Sequence, residues 1–219
     1  MPAWVIDLII TILILGMTYA LTSEGLWGAA LTFFNILFSA LIALNFYETL
    51  AQLIVDNASA VAPYADVICL GGLFLITFIL LKVATEQIAP TMVRYPNPVY
   101  HLGRLIFGAG ASIMAAAFLL LVFHVAPVDR HVFGVIDYEY KPPWGFGLDR
   151  KMLAFFQYTT GNTFPRYGSG LGQPGSEYAD TYVFDPRGAW LLDHQNARPF
   201  PEDGSGKVIE PESTGAPAA

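Results

Sequence analysis

Long apolar runs separated by short polar breaks occupy residues 1–126 of the chain. Four runs stand out, at about residues 4–21, 27–50, 64–81 and 102–126. A bilayer core about 30 Å thick is crossed by roughly 20 apolar residues in a helix, and each run approaches or exceeds that length. The apolar positions go all the way round each predicted helix and leave no wet face, unlike the stripe of a soluble amphipathic helix. The first break lies in "ALTSEGLWGAALTFF" at residues 20–34. The two runs it separates are together too long for one span. Glu24 is costly at mid-bilayer and tolerated in water. The break therefore predicts a tight hairpin turn at Glu24 and Gly25, with Trp27 just inside the interface. Thr22 or Ser23 is expected to cap the second helix, with Glu24 in its first turn favoured by the helix dipole.

The second break, about residues 55–63, is short and carries Asp56 and Asn57. The third, "APTMVRYPNPVYH" at residues 89–101, holds three prolines and is expected to stay non-helical. The start, "MPAWVIDL", lacks Lys and Arg and carries Asp7, unlike the basic lead of a secretory signal, so the first run reads as a retained helix. Four spans put both termini on one side. Basic residues are nearly balanced between the third break, with Lys82, Arg94 and Arg104, and the region after the fourth run, with Arg130, Lys141, Arg150 and Lys151, so charge does not orient the chain.

Composition agrees with a membrane domain followed by a polar region. Hydrophobic residues make up 54% of the 219 and charged residues only 13%, against about 25% charged in soluble domains. The net charge is −7 with no basic stripe, which argues against nucleic acid as a partner. The single cysteine, Cys69, cannot form an internal disulfide and matches no zinc spacing.

Within the spans, Thr32, Asn35, Ser39 and Ala43 recur at helical spacing, and Gly108, Ser112 and Ala116 fall at intervals of four. Small and hydrogen-bonding residues in such rows let membrane helices approach closely. They serve packing within one molecule or self-association, and the former is the simpler reading. Asp7, Glu48, Asp56, Lys82 and Glu86 all lie near span ends, where a proton or ion path through mid-bilayer would not place them. Lys82 and Glu86, four apart, are positioned to pair. Ser112 and His124 are separated by about 18 Å along one helix, too far for a nucleophile and its base. His101, His124, His131 and His194 show no ligand spacing, and metal or phosphate motifs are lacking. The residues assign no catalytic, metal or cofactor site. The expected partners are membrane lipids, a second copy of the chain, or the other members of a membrane complex.

After Pro127 the chain changes character. "VDRHVFGVIDYEYKPPWGFG" is aromatic-rich and is expected to be ordered against the interface. Residues 148–160 predict a short amphipathic helix, with Leu148, Met152, Phe155 and Phe156 on one side, Asp149, Arg150 and Lys151 on another, and Gly161 as its stop. It either lies on the membrane surface or caps the bundle. Residues 161–180 read as a linker. A second short helix is expected near 186–197, with Asp185 as cap, Pro186 in first position, and Trp190 and Leu191 offered to a partner or the membrane. Residues 201–219 are acidic and proline-rich and are expected to be disordered.

The layout of residues 1–127 resembles the colicin V production protein family, CvpA. The residues that carry the likeness are Asp7, Gly16 and Gly25, the run "LWGAALTFFNILFSALIALNFYETLAQLI", and Arg104, Gly108 and Gly110 opening the fourth span. Family members commonly carry arginine before the turn glycine, where this chain has Glu24, and the long region after Pro127 lies outside the common core. The resemblance implies an all-α integral protein of the bacterial inner membrane, a four-span bundle linked to colicin V production, toxin export and envelope homeostasis. It brings no catalytic residues. The alternatives are a small channel or transporter, or an accessory subunit of a larger membrane complex.

Overall fold

The computed structural model describes residues 3–57, 64–88, 96–126, 131–132, 136–137, 145–162, 184 and 190. Four long helices, α1 (Ala3–Ser23), α2 (Gly25–Asn57), α3 (Ala65–Ile88) and α4 (Asn97–Val125), pack together, and a short α5 (Leu148–Asn162) closes one end. A two-residue antiparallel ladder pairs β1 (His131–Val132) with β2 (Ile136–Asp137). Three helices, α2, α3 and α4, are long and apolar enough to cross a membrane. Across the described part of α1, the apolar stretch Asp7–Ser23 is shorter.

The helix ends depart from the sequence expectation in instructive ways. The turn between α1 and α2 is tighter than a capped loop. Only Glu24 lies outside both helices, and Gly25 opens α2 with φ +86°, a left-handed conformation that a side chain would strain. Ser23 and Thr22 do not cap α2. Their hydroxyls donate back to the carbonyls of Ala20 (2.6 Å) and Tyr19 (3.0 Å), finishing α1 instead. Glu24 precedes α2 rather than sitting in its first turn, and its N–H bonds to the Leu21 carbonyl at 3.2 Å. The third break also gives way. Pro96 occupies the N-cap of α4 and Pro98 falls in the first turn, where a missing N–H costs nothing, so residues 97–101 are helical. At the other end Ala126 turns out to φ −59°, ψ 133°, the extended region favoured before Pro127.

The helices outrun the predicted spans because nothing in their polar flanks breaks them. At 1.5 Å per residue, α2 is about 50 Å long, well beyond a bilayer core. Its last turns, with Asp56 and Asn57, are exposed. Gly161 does not stop α5, which runs through Asn162. The expected helix near 186–197, the tail 201–219 and most of the linker 161–180 lie outside the described residues. Trp190 itself is described and is helical.

α2 packs against α3 and α4, while α1 packs chiefly on α4. Phe74 of α3 stacks on Phe118 of α4 with centroids 4.2 Å apart, near the middle of the bundle. The outer surfaces stay apolar. Leu75, Ile76, Ile79 and Leu80 of α3 are each 56–63% exposed, and α1 shows Ile9, Ile12 and Leu15 in the same way. In water, leaving so many large side chains uncovered forgoes roughly 1.5–3 kcal/mol per residue. In lipid it costs nothing.

Candidate functional site

Polar side chains gather at the two ends of the bundle. At the first, the α1–α2 turn meets the last turns of α3 and the start of α4. Lys82 lies between two carboxylates, its Nζ 3.5 Å from Glu24 Oε1 and 3.9 Å from Glu86 Oε1. The group is about a third to two-thirds exposed, so solvent screening leaves each pair worth at most about 1 kcal/mol. Beneath it, the Thr32 hydroxyl donates to Glu24 Oε2 at 3.4 Å, and Asn35 Nδ2 donates to Thr85 Oγ1 at 2.9 Å. Thr85 passes its own hydrogen to the α3 backbone at Leu81 or Lys82. A polar ladder thus runs from the wet end into the α2–α3 interface. Tyr100 closes over Gly25: a Cβ added there would lie 3.0 Å from the tyrosine hydroxyl. Arg104 sits over the Tyr100 ring, 5.6 Å from its centroid.

The small residues face inward. Ser39, Gly108, Ser112 and Ala116 are all buried. The hydroxyls of Ser39 and Ser112 donate to the carbonyls four residues before them, Asn35 and Gly108, which satisfies each within its own helix. Gly108 lets α1 approach, since a Cβ there would lie 2.8 Å from Thr22 Cγ2.

The second end joins α5 and two downstream residues to the helices. His124 Nε2 on α4 lies 3.7 Å from Asp149 Oδ2 on α5, with the aspartate buried and the histidine largely so. This is ion-pair spacing, beyond hydrogen-bond reach. His124 Nδ1 is 2.9 Å from the Leu120 carbonyl, which fixes the ring. The second carboxylate oxygen, Asp149 Oδ1, has no hydrogen-bond partner among the described residues. Nearby, Trp190 Nε1 donates to the Tyr47 hydroxyl at 2.7 Å, and that hydroxyl donates to Glu48 Oε1 at 3.0 Å. The Phe184 N–H donates to Thr160 Oγ1 at 2.9 Å. Phe156, Phe184 and Trp190 form a train of rings 6.0–6.2 Å apart, buried with Met152, Leu153 and Leu121.

Phe155 is 38% exposed rather than on the apolar side of α5 with Met152 and Phe156, and two further sequence expectations are corrected here. Asp149 does not share the outer face of α5 with Arg150 and Lys151. It lies in the row Asp149, Met152, Leu153, Phe156, Thr160, whose spacings of three and four make one buried face. Trp190 is not offered to a membrane or another protein but is buried against Tyr47 of its own chain. Counting back from Met152 would have found the first; no local signal links residues 143 apart. Chemically, both ends are fasteners. No group of three or more His, Cys, Asp or Glu side chains able to hold a metal gathers among the described residues.

Comparison with family models, curated proteins and solved structures finds no match for this chain.

Proposed function

We propose that the chain is an integral protein of a bacterial inner membrane with four spans, and that it acts through protein partners rather than by catalysis. It would serve toxin production or export and envelope homeostasis, as the resemblance to the CvpA family implies. The observation that carries the membrane reading is the uncovered apolar belt on α1 and α3. At 21 residues, α1 is about 31 Å long and could complete the fourth span. The partner reading draws on how the polar groups are used. Within the spans, the Asn35 and Thr85 side chains bond across α2 and α3, while the Ser39 and Ser112 hydroxyls bond to their own helix backbones, so these four groups are spent on packing. The C-terminal extension is fastened to the bundle by His124–Asp149 and Tyr47–Trp190, which would present a fixed surface at one membrane face.

Affinity purification of the tagged chain in mild detergent, followed by mass spectrometry, tests this. A reproducible set of envelope or export proteins is expected. Recovery of the chain alone, together with ion or solute flux in reconstituted vesicles, would replace the reading with a channel or transporter.

A further inference from the structure

We propose that the outer face of α5, with the turn that precedes it, docks onto the acidic phospholipid headgroups of the bilayer that holds the bundle. The inference rests on the membrane reading above and assigns a lipid class to one surface. The inner face of α5 is spent on the bundle: Asp149, Met152, Leu153, Phe156 and Thr160 are buried. The outer face carries Arg150, Lys151, Ala154, Phe155 and Tyr158, all exposed. Neither Arg150 nor Lys151 forms an ion pair among the described residues, in a chain whose net charge is −7. Two cations left outward beside two aromatic rings match an anionic interface, where basic side chains meet phosphates and amphipathic rings sit at headgroup depth.

The turn before α5 extends this face. In Gly145–Gly147, Phe146 has φ 57° and is 54% exposed. A bulky residue in the left-handed region is strained, and such strain points to a role for the side chain it displays. The turn touches α1. Because Tyr100 of α4 lies against Gly25, just past α1, and Gly108 lies against Thr22 and Thr18, further back along α1, the two helices run antiparallel, and the C-terminal end of α4 is level with the start of α1. Phe146 therefore stands where the lipid-facing row of Leu8, Ile9 and Ile12 begins. The basic and aromatic face continues the apolar belt at its edge, the depth of the headgroups.

The full chain with a single thiol at the centre of this face, Ala154→Cys in a Cys69→Ala background, is labelled with a fluorophore. It is reconstituted in phosphatidylcholine vesicles with or without phosphatidylglycerol, each containing a lipid with a headgroup nitroxide quencher. Quenching is expected to be several-fold stronger with phosphatidylglycerol, to fall with added salt, and to weaken about fivefold in docking strength for each cation removed in Arg150→Gln and Lys151→Gln. Both side chains are exposed, so these variants keep the fold; charge reversal at both positions should abolish the lipid dependence. Equal quenching in the two lipids, or quenching that ignores salt and both substitutions, overturns the proposal. So does self-quenching of the label in vesicles without nitroxide that falls as the protein is diluted among them, which would mark a face between copies. Failure of the chain to float with vesicles would sink the membrane reading itself, a result separate from these.

Discussion

Replacing Gly108 with alanine tests the closest approach between α1 and α4. The new Cβ would lie 2.8 Å from Thr22 Cγ2, 3.5 Å from Thr22 N and 3.6 Å from the Thr18 carbonyl oxygen. The threonine methyl cannot rotate aside freely, because the Thr22 hydroxyl is bonded to the Tyr19 carbonyl at 3.0 Å; breaking that bond costs about 1 kcal/mol. Either the bond breaks or α1 moves away, and overpacking of this kind costs about 1–3 kcal/mol. Alanine also favours the helix over glycine by up to about 1 kcal/mol, so the single variant underreports the clash. Gly72 of α3 supplies the control, since a Cβ there meets nothing within 4 Å. The difference between Gly108→Ala and Gly72→Ala cancels the helix-propensity contribution and should fall at about 1–3 kcal/mol. Steric-trap unfolding in bicelles measures both. Equal stabilities for the two variants would mean that α1 does not pack on α4 at Gly108.

Three further outcomes are expected. In a double-mutant cycle, Asn35→Ala and Thr85→Val should show a coupling of about 0.6 kcal/mol, the average for hydrogen bonds between membrane helices, and no more than about 1.7 kcal/mol; additivity would place the two side chains apart. Trp190→Phe should cost about 1 kcal/mol through the lost bond to Tyr47, and Trp190→Ala about 3–5 kcal/mol, both read by thermal unfolding in detergent; two silent variants would mean that Trp190 is not docked. Replacing both His124 and Asp149 by leucine should leave stability equal to or above that of either single variant, because a buried pair removed whole leaves no unpartnered charge; a double variant worse than both singles would contradict the pairing.

What the sequence made legible follows from how far each signal reaches. The apolar runs located α2, α3 and α4, because lipid imposes one rule on every residue of a span. Their ends were harder to read. Pro96 and Pro98 look like breakers but stand at the cap and first turn of α4, where proline is compatible with a helix. Ser23 looks like a cap for α2 but its hydroxyl turns back to Ala20. Local composition cannot distinguish the two sides of a one-residue turn. The inward row of α5 was present in the spacing of Asp149, Met152 and Phe156, masked by reading Asp149 with its charged neighbours. The Asn35–Thr85 and Tyr47–Trp190 bonds join segments far apart in the chain and depend on tertiary register, which periodicity does not carry.

The bundle is expected to cross the membrane four times. Paired topology reporters test it most directly, one series fused at the start of the chain and one after Asn162, each using a phosphatase active outside the cytoplasm and a fluorescent protein active inside. Four spans place both fusion points in the same compartment, with all product in the membrane fraction. Opposite compartments would mean that α1 does not cross. Fusions recovered in the soluble fraction would contradict the account as a whole.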